Sequence, residues 1–187
     1  MWSQSLEHLT FGYDFNQAIG RVVWPTSLQQ LTFGHRLNQR IEGLVWPASL
    51  QRLKFGIYFN QQISETRLPI SLKVLMFGEC FDQPIDQVSW PPELRRLVFG
   101  AGFDQPISRV TWPISLRKLS FGKSFDQPVE GVIWPVLLEH LTLGGGFNQP
   151  IENAMWPNSL YSLTVGRDFR QSTTRAEHRG IHVYSSL

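Results

Sequence analysis

The chain repeats itself every 22 residues, and no other feature narrows its fold so far. A glycine follows an apolar residue at positions 12, 34, 56, 78, 100, 122, 144 and 166, with no insertion between copies. All seven tryptophans share one phase, at Trp2, Trp24, Trp46, Trp90, Trp112, Trp134 and Trp156, and Leu68 fills the vacant slot. The thirteen phenylalanines occupy two phases only, one just before the glycine and one three residues after it. The unit reads W-P-x-S-L-x-x-L-x-F-G-x-x-F-[ND]-Q-P-I-x-x-V-x. A unit this short cannot bury its own apolar side, so successive units must stack and share one core.

Only the stretch ending L-x-x-L-x-F has period-two character. In "SLRKLSF", Leu119 and Phe121 fall on one side and Lys118 and Ser120 on the other, which predicts a short strand. Gly122 is expected to end that strand at a turn where a side chain is unwelcome. The remainder, "FDQPVEGVIWP", carries two prolines and cannot sustain a helix, so the return path is expected to be extended or polyproline-like. Equivalent strands then pair in parallel at about 4.8 Å per coil.

These residues carry a resemblance. L-x-x-L-x-F resembles the strand signature of leucine-rich repeats. F-[ND]-Q-P-I followed by [WI]-P-x-S-L resembles the FNIP repeat, a 22-residue variant of them. The resemblance implies a leucine-rich-repeat solenoid of about eight coils, with short parallel strands on the concave face and an extended, non-helical convex side. It assigns residues 1–171 to the solenoid and leaves 172–187 as a non-repeat C-terminal tail or makeshift cap. It implies use in protein interaction and supplies no catalytic residues. The departures are local: "TRLPISL" lacks its tryptophan, and Ala18, Arg40 and Gln62 stand where later units have Pro84, Pro106, Pro128 and Pro150.

Two polar columns run through the repeat. Gln17, Gln39, Gln61, Gln83, Gln105, Gln127, Gln149 and Gln171 share a slot, and their amides are expected to bond between coils or to orphan backbone. The preceding slot alternates Asn16, Asn38, Asn60 and Asn148 with Asp82, Asp104 and Asp126, acceptors suited to unpaired N–H groups at a turn. A hard cation on the three aspartates is the rival reading. Asparagine tolerated in the same slot, and the lack of further recurring carboxylates, weigh against it, so no metal is expected. The tryptophan column is expected in the core, with each following proline fixing a corner; an exposed aromatic stripe is its rival.

No catalytic constellation emerges. His8 and His140 share a slot six units apart, His178 and His182 are separated by Gly180 and lack a metalloprotease glutamate, and Cys80 sits in a variable turn slot. "LGGGF" follows a strand without opening a helix, so it is no phosphate loop. The chain is therefore expected to be non-enzymatic and to need no cofactor. One cysteine excludes an intramolecular disulfide, no apolar run is long enough to span a bilayer, and "MWSQSLEHLT" lacks a secretory signal, which together favour the cytoplasm.

Choice is left in the slots flanking the second leucine, which should face outward from the strands. There the central units place Arg52, Lys54, Lys73, Arg95, Arg96, Arg117 and Lys118, while Glu42, Glu65, Asp86, Glu130 and Glu152 lie on the return path. A net charge of only +2 thus hides a basic concave centre. The expected function is a protein-interaction scaffold whose concave face binds an acidic partner. The alternative is a polyanion, nucleic acid or anionic glycan, on the same face; nucleic acid is disfavoured because every Trp and Phe is committed to the repeat. Terminal coils without caps are expected to favour end-to-end self-association.

Overall fold

The computed structural model describes residues 2–185; Met1, Ser186 and Leu187, which belong to the two segments expected from the sequence, lie outside the described residues. Eight repeat strands follow one another at the repeat interval: β1 (His8–Thr10), β2 (Gln30–Thr32), β3 (Arg52–Lys54), β4 (Val74–Met76), β5 (Arg96–Val98), β6 (Lys118–Ser120), β7 (His140–Thr142) and β8 (Ser162–Val165). They form one parallel sheet in chain order. Register is set without offset, because Leu9, Leu31, Leu53, Leu75, Leu97, Leu119, Leu141 and Leu163 are successive partners. From Leu31 onward these leucines are buried and their neighbours face solvent, as the alternation predicts.

Among the described residues the return path contains no helix within the repeats. Each of the first seven coils turns through three tight corners, closed by backbone bonds such as Leu94 N–H to the Pro91 carbonyl (3.1 Å), Phe103 N–H to Gly100 (3.5 Å) and Val110 N–H to Ile107 (3.2 Å). The residue that closes each of these corners is itself buried, so one sequence position serves the turn and the core together.

Inside, the two phenylalanine phases become two stacked columns. Phe99 and Phe121 lie 5.5 Å apart with rings 4° from parallel, Phe103 and Phe125 lie 6.3 Å apart, and Phe99 stacks on Phe103 at 4.1 Å within its own coil. The tryptophans form a third column at the proline corner. Trp24, Trp46, Trp112, Trp134 and Trp156 are buried, Trp90 is half-buried and Trp2 is exposed. The aromatic stripe is thus core rather than surface, apart from its first member.

The glycine column stands where a side chain is unwelcome, as the sequence suggests, and the structure gives the reason. Among the described residues positive φ occurs only at Gly43, Gly131 and Gly180, so the repeat glycines need no left-handed backbone. A methyl group built on Gly34, Gly56, Gly78, Gly100, Gly122 or Gly144 would instead overlap the carbonyl of the glycine one coil earlier. Gly12, with no described coil before it, meets nothing within 4 Å.

The tail is also ordered. Past Phe169 the chain makes one short helix, α1 (Thr174–His178), and a ninth parallel strand, β9 (His182–Ser185), beside β8. Val183 pairs with Leu163 and prolongs the leucine column, while Ala176 and Ile181 are buried beneath it. Arg179 fastens the tail to the last corner by donating to the Trp156 carbonyl at 3.0 Å. The tail therefore covers the last repeat coil, whereas β1 pairs only with β2 among the described residues. Also among the described residues, no helix is long and apolar enough to cross a membrane.

Two stability experiments follow from this packing. Gly100→Ala should cost about 3 kcal/mol or more in denaturant unfolding, since the obstruction is backbone that cannot move aside. Gly12→Ala should stay within about 0.5 kcal/mol of the parent protein; equal losses at both sites would refute the close-approach account. Thr66 occupies a slot filled by Val88 and Val110 in later units, and its hydroxyl is buried without a partner. Thr66→Val should therefore raise stability by about 1–2 kcal/mol, read as a higher denaturant midpoint at unchanged slope.

Candidate interaction face

Zero-offset pairing turns each outward slot into a straight column across the sheet. One column runs His8, Gln30, Arg52, Val74, Arg96, Lys118, His140, Ser162 and His182, and Arg96 is the direct register partner of Lys118. A parallel column contains Lys54, Met76 and Val98. Arg52, Lys54, Arg95, Arg96 and Lys118 are exposed on this face, and none of them forms an ion pair among the described residues. Lys73 is half-buried and donates to the Gln51 side-chain oxygen at 3.3 Å. Arg117 is ion-paired to Glu139 on the next coil, so part of its charge is answered within the face.

The strand face also holds a cluster that the repeat pattern did not disclose. Tyr161 lies 4.8 Å from the His182 ring and 6.2 Å from His140, and Tyr184 adjoins His182 at 6.5 Å. Tyr161 and Tyr184 are 55% and 49% exposed, so the basic band runs into an accessible aromatic surface. Half of the cluster comes from the tail, and the alternation of Ile181 and Val183 with His182 and Tyr184 was its one sequence signal. The placement splits His178, on α1, from His182, on β9, so the two do not share a helix face. Cys80 is free and exposed.

On the opposite flank of the strand, the amide columns interlock differently from a glutamine-on-glutamine ladder. Oδ1 of each Asn or Asp accepts the backbone N–H of its counterpart one coil later, as from Asp104 to Asp82 at 3.0 Å and from Asp126 to Asp104 at 2.9 Å. The same oxygen accepts the next coil's glutamine amide, from Gln105 to Asp82 at 2.9 Å and from Gln127 to Asp104 at 3.0 Å. Gln39, Gln61, Gln83 and Gln171 repeat this contact; Gln149 does not, and Gln17 has no described coil before it. With one oxygen of each of Asp82 and Asp104 already holding two donors, the column is a coil-to-coil clasp. Among the described residues no cluster of three or more His, Cys, Asp or Glu is placed to hold a metal ion.

A third ladder went unassigned from the sequence although its serine stood in the repeat. Ser27, Ser49, Ser71, Ser115 and Ser159 each donate a hydroxyl to the leucine carbonyl of the preceding coil at 2.8–2.9 Å. Glu93 and Leu137 replace serine in two units and interrupt the ladder there.

A one-strand-per-coil parallel solenoid with leucines in register and a turn-rich return side defines a repeat protein of the leucine-rich type. Residues 3–36, 38–80, 81–124 and 125–168 match the FNIP Repeat family model, and the chain belongs to that family. The crystal structure of CroV588, a circular leucine-rich-repeat protein, is similar to it, with a TM-score of 0.70 and 42% identity over 91% of this chain. The chain spans only 28% of the length of that protein. No curated protein matches it.

The clasp makes a paired prediction. Asp104→Ala strands the Asp126 N–H and the Gln127 amide and should cost about 1–3 kcal/mol in thermal or denaturant unfolding. Asp104→Asn keeps the accepting oxygen and should cost less than about 1 kcal/mol; a large loss there would mean that the charge, not the acceptor, matters.

Proposed function

We propose that the chain is a non-catalytic scaffold that takes an acidic peptide or acidic protein surface on its strand face. The observation that supports this most is the row of exposed cations Arg52, Lys54, Arg95, Arg96 and Lys118, which form no ion pair among the described residues and stand on one continuous sheet. Arginine forks at positions 95 and 96 suit bidentate carboxylate recognition, and Lys54 and Lys118 act as point charges. Preorganisation by the sheet lowers the ordering cost that a flexible basic segment would carry. Strands paired in chain order without offset set several coils side by side, which lets them contact one ligand together.

The aromatic end of the face favours a second reading. Tyr161, His182 and Tyr184 beside a basic band are the ingredients of a surface that stacks bases and follows phosphates, so a single-stranded nucleic acid is the competing ligand.

Fluorescence anisotropy with a glutamate-rich peptide and with a single-stranded oligonucleotide, each across a salt series, separates the two. Arg95→Glu/Arg96→Glu is expected to weaken peptide binding at least about tenfold, as loss of charge-assisted contacts implies. Peptide affinity unchanged by that reversal would sink the first reading. Tighter oligonucleotide binding with a steep salt slope, lost in Tyr161→Ala, would install the second.

A further inference from the structure

The proline corners carry an exposed apolar stripe that neither the core nor the strand face employs. Each corner presents two outward slots, the residue before the tryptophan and the second residue after it. The first slot is aliphatic at both ends of the solenoid (Val23, Val45, Ile133, Met155) and polar in the middle (Arg67, Ser89, Thr111). The second slot is apolar from Ala48 through Ile70, Pro92 and Ile114 to Val136, and polar at Thr26 and Asn158. Val23, Val45, Ile70, Ile114, Ile133 and Met155 are between 62% and 85% exposed, far more than the buried tryptophans beside them. The slots adjoin, since Val23 and Val45 line one shallow groove with Trp24 and Trp46, and Ile114, Ile133 and Val136 line another with Trp134. A contiguous apolar surface of this kind marks an interaction site.

We propose that this stripe is the interface of a two-fold, antiparallel dimer with a second copy of the chain, separate from the ligand face proposed above. A two-fold contact requires a patch complementary to itself after rotation. The stripe has that property about the Trp90 corner. Rotation about an axis crossing the solenoid there lays Val23 on Met155, Val45 on Ile133, Ile70 on Ile114 and Pro92 on its own copy. Polar residues also meet polar ones: Arg67 falls on Thr111 and Ser89 on itself.

Flanking charges on the neighbouring turn are answered in part: Glu65 falls opposite Arg109 and Arg21 opposite Asn153, whereas Glu42 meets Glu130 and Asp86 meets its own copy. A parallel pairing would instead set Arg67 on Ile70 and Met155 on Asn158, charge and amide on aliphatic surface. Both copies share one coil spacing, so contacts stay in step along the whole stripe. At about 60–120 Å² for each aliphatic side chain, seven such residues offer roughly 400–800 Å² per copy, approaching the ~800 Å² per partner of a stable interface.

Sedimentation equilibrium of the full chain should show a concentration-dependent dimer. Val45→Glu/Ile133→Glu places introduced carboxylates opposite one another twice and should raise the dimer dissociation constant about a hundredfold or more. Both sites are at least 79% exposed, so circular dichroism of the variant should match the parent. Orientation is read by crosslinking in a Cys80→Ser background. There Ser89→Cys, which the axis sets against its own copy, should oxidise to an intermolecular disulfide, whereas Val23→Cys should not. A chain that remains monomeric, a dimer indifferent to the double substitution, or equal crosslinking at both sites would each overturn the proposal. The double substitution should leave binding of the glutamate-rich peptide unchanged, so failure here is distinct from failure at the strand face.

Discussion

Backbone touches backbone at the glycine column, and the rest of the molecule is dimensioned by that contact. From Gly34 to Gly144 the space a Cβ would need is taken by the glycine carbonyl one coil earlier. The approach sets the spacing at which parallel strands can exchange hydrogen bonds without offset. At that spacing Phe99 and Phe121 stack face to face, the Asp104 oxygen reaches the Asp126 N–H, and the Ser115 hydroxyl reaches the Leu94 carbonyl. Each of these ladders is individually modest, worth about 1 kcal/mol a rung. Their shared period makes them mutually consistent, so a unit that satisfies one satisfies the others.

The acceptor column shows how this economy operates at a turn. Parallel strands of three residues leave many backbone groups outside the ladder, and buried or half-buried orphans are costly. One side-chain oxygen per coil accepts two donors from the next coil, which closes a corner with a single residue. Asparagine and aspartate are interchangeable there because both supply an acceptor at the same reach. Three neighbouring carboxylates tolerate one another because each faces N–H donors rather than its like.

Much of the fold was legible because the physical period equals the sequence period. Leucine alternation predicts the strands, proline spacing forbids helices on the return side, and phase alone places the phenylalanines in the core. What escaped detection lies where phase gives no information. The tail breaks the period, since Val183 follows Leu163 by fewer residues than a full unit, so its strand and the arrival of His182 and Tyr184 beside Tyr161 could not be read by counting. The sequence shows that a side chain is unwelcome at the repeat glycine, but not that the obstruction is the carbonyl of the preceding coil, which only register reveals. The Arg117–Glu139 pair likewise required register, as the two residues sit in different units.

The same register bears on the basic band. In a parallel sheet without offset, like charges in equivalent slots are direct neighbours, and Arg96 stands beside Lys118 with no carboxylate between them. Such neighbours destabilise a sheet by a few tenths of a kcal/mol up to about 1 kcal/mol each. The scaffold does not require them, since Gln29, Gln30 and Gln51 fill equivalent slots on earlier coils. The row of cations thus costs the fold some stability on a face where neutral residues serve as well, a cost that the proposed acidic ligand would relieve. Glu139 relieves Arg117 alone, which leaves Arg95, Arg96 and Lys118, at the centre of the sheet, without an ion pair among the described residues.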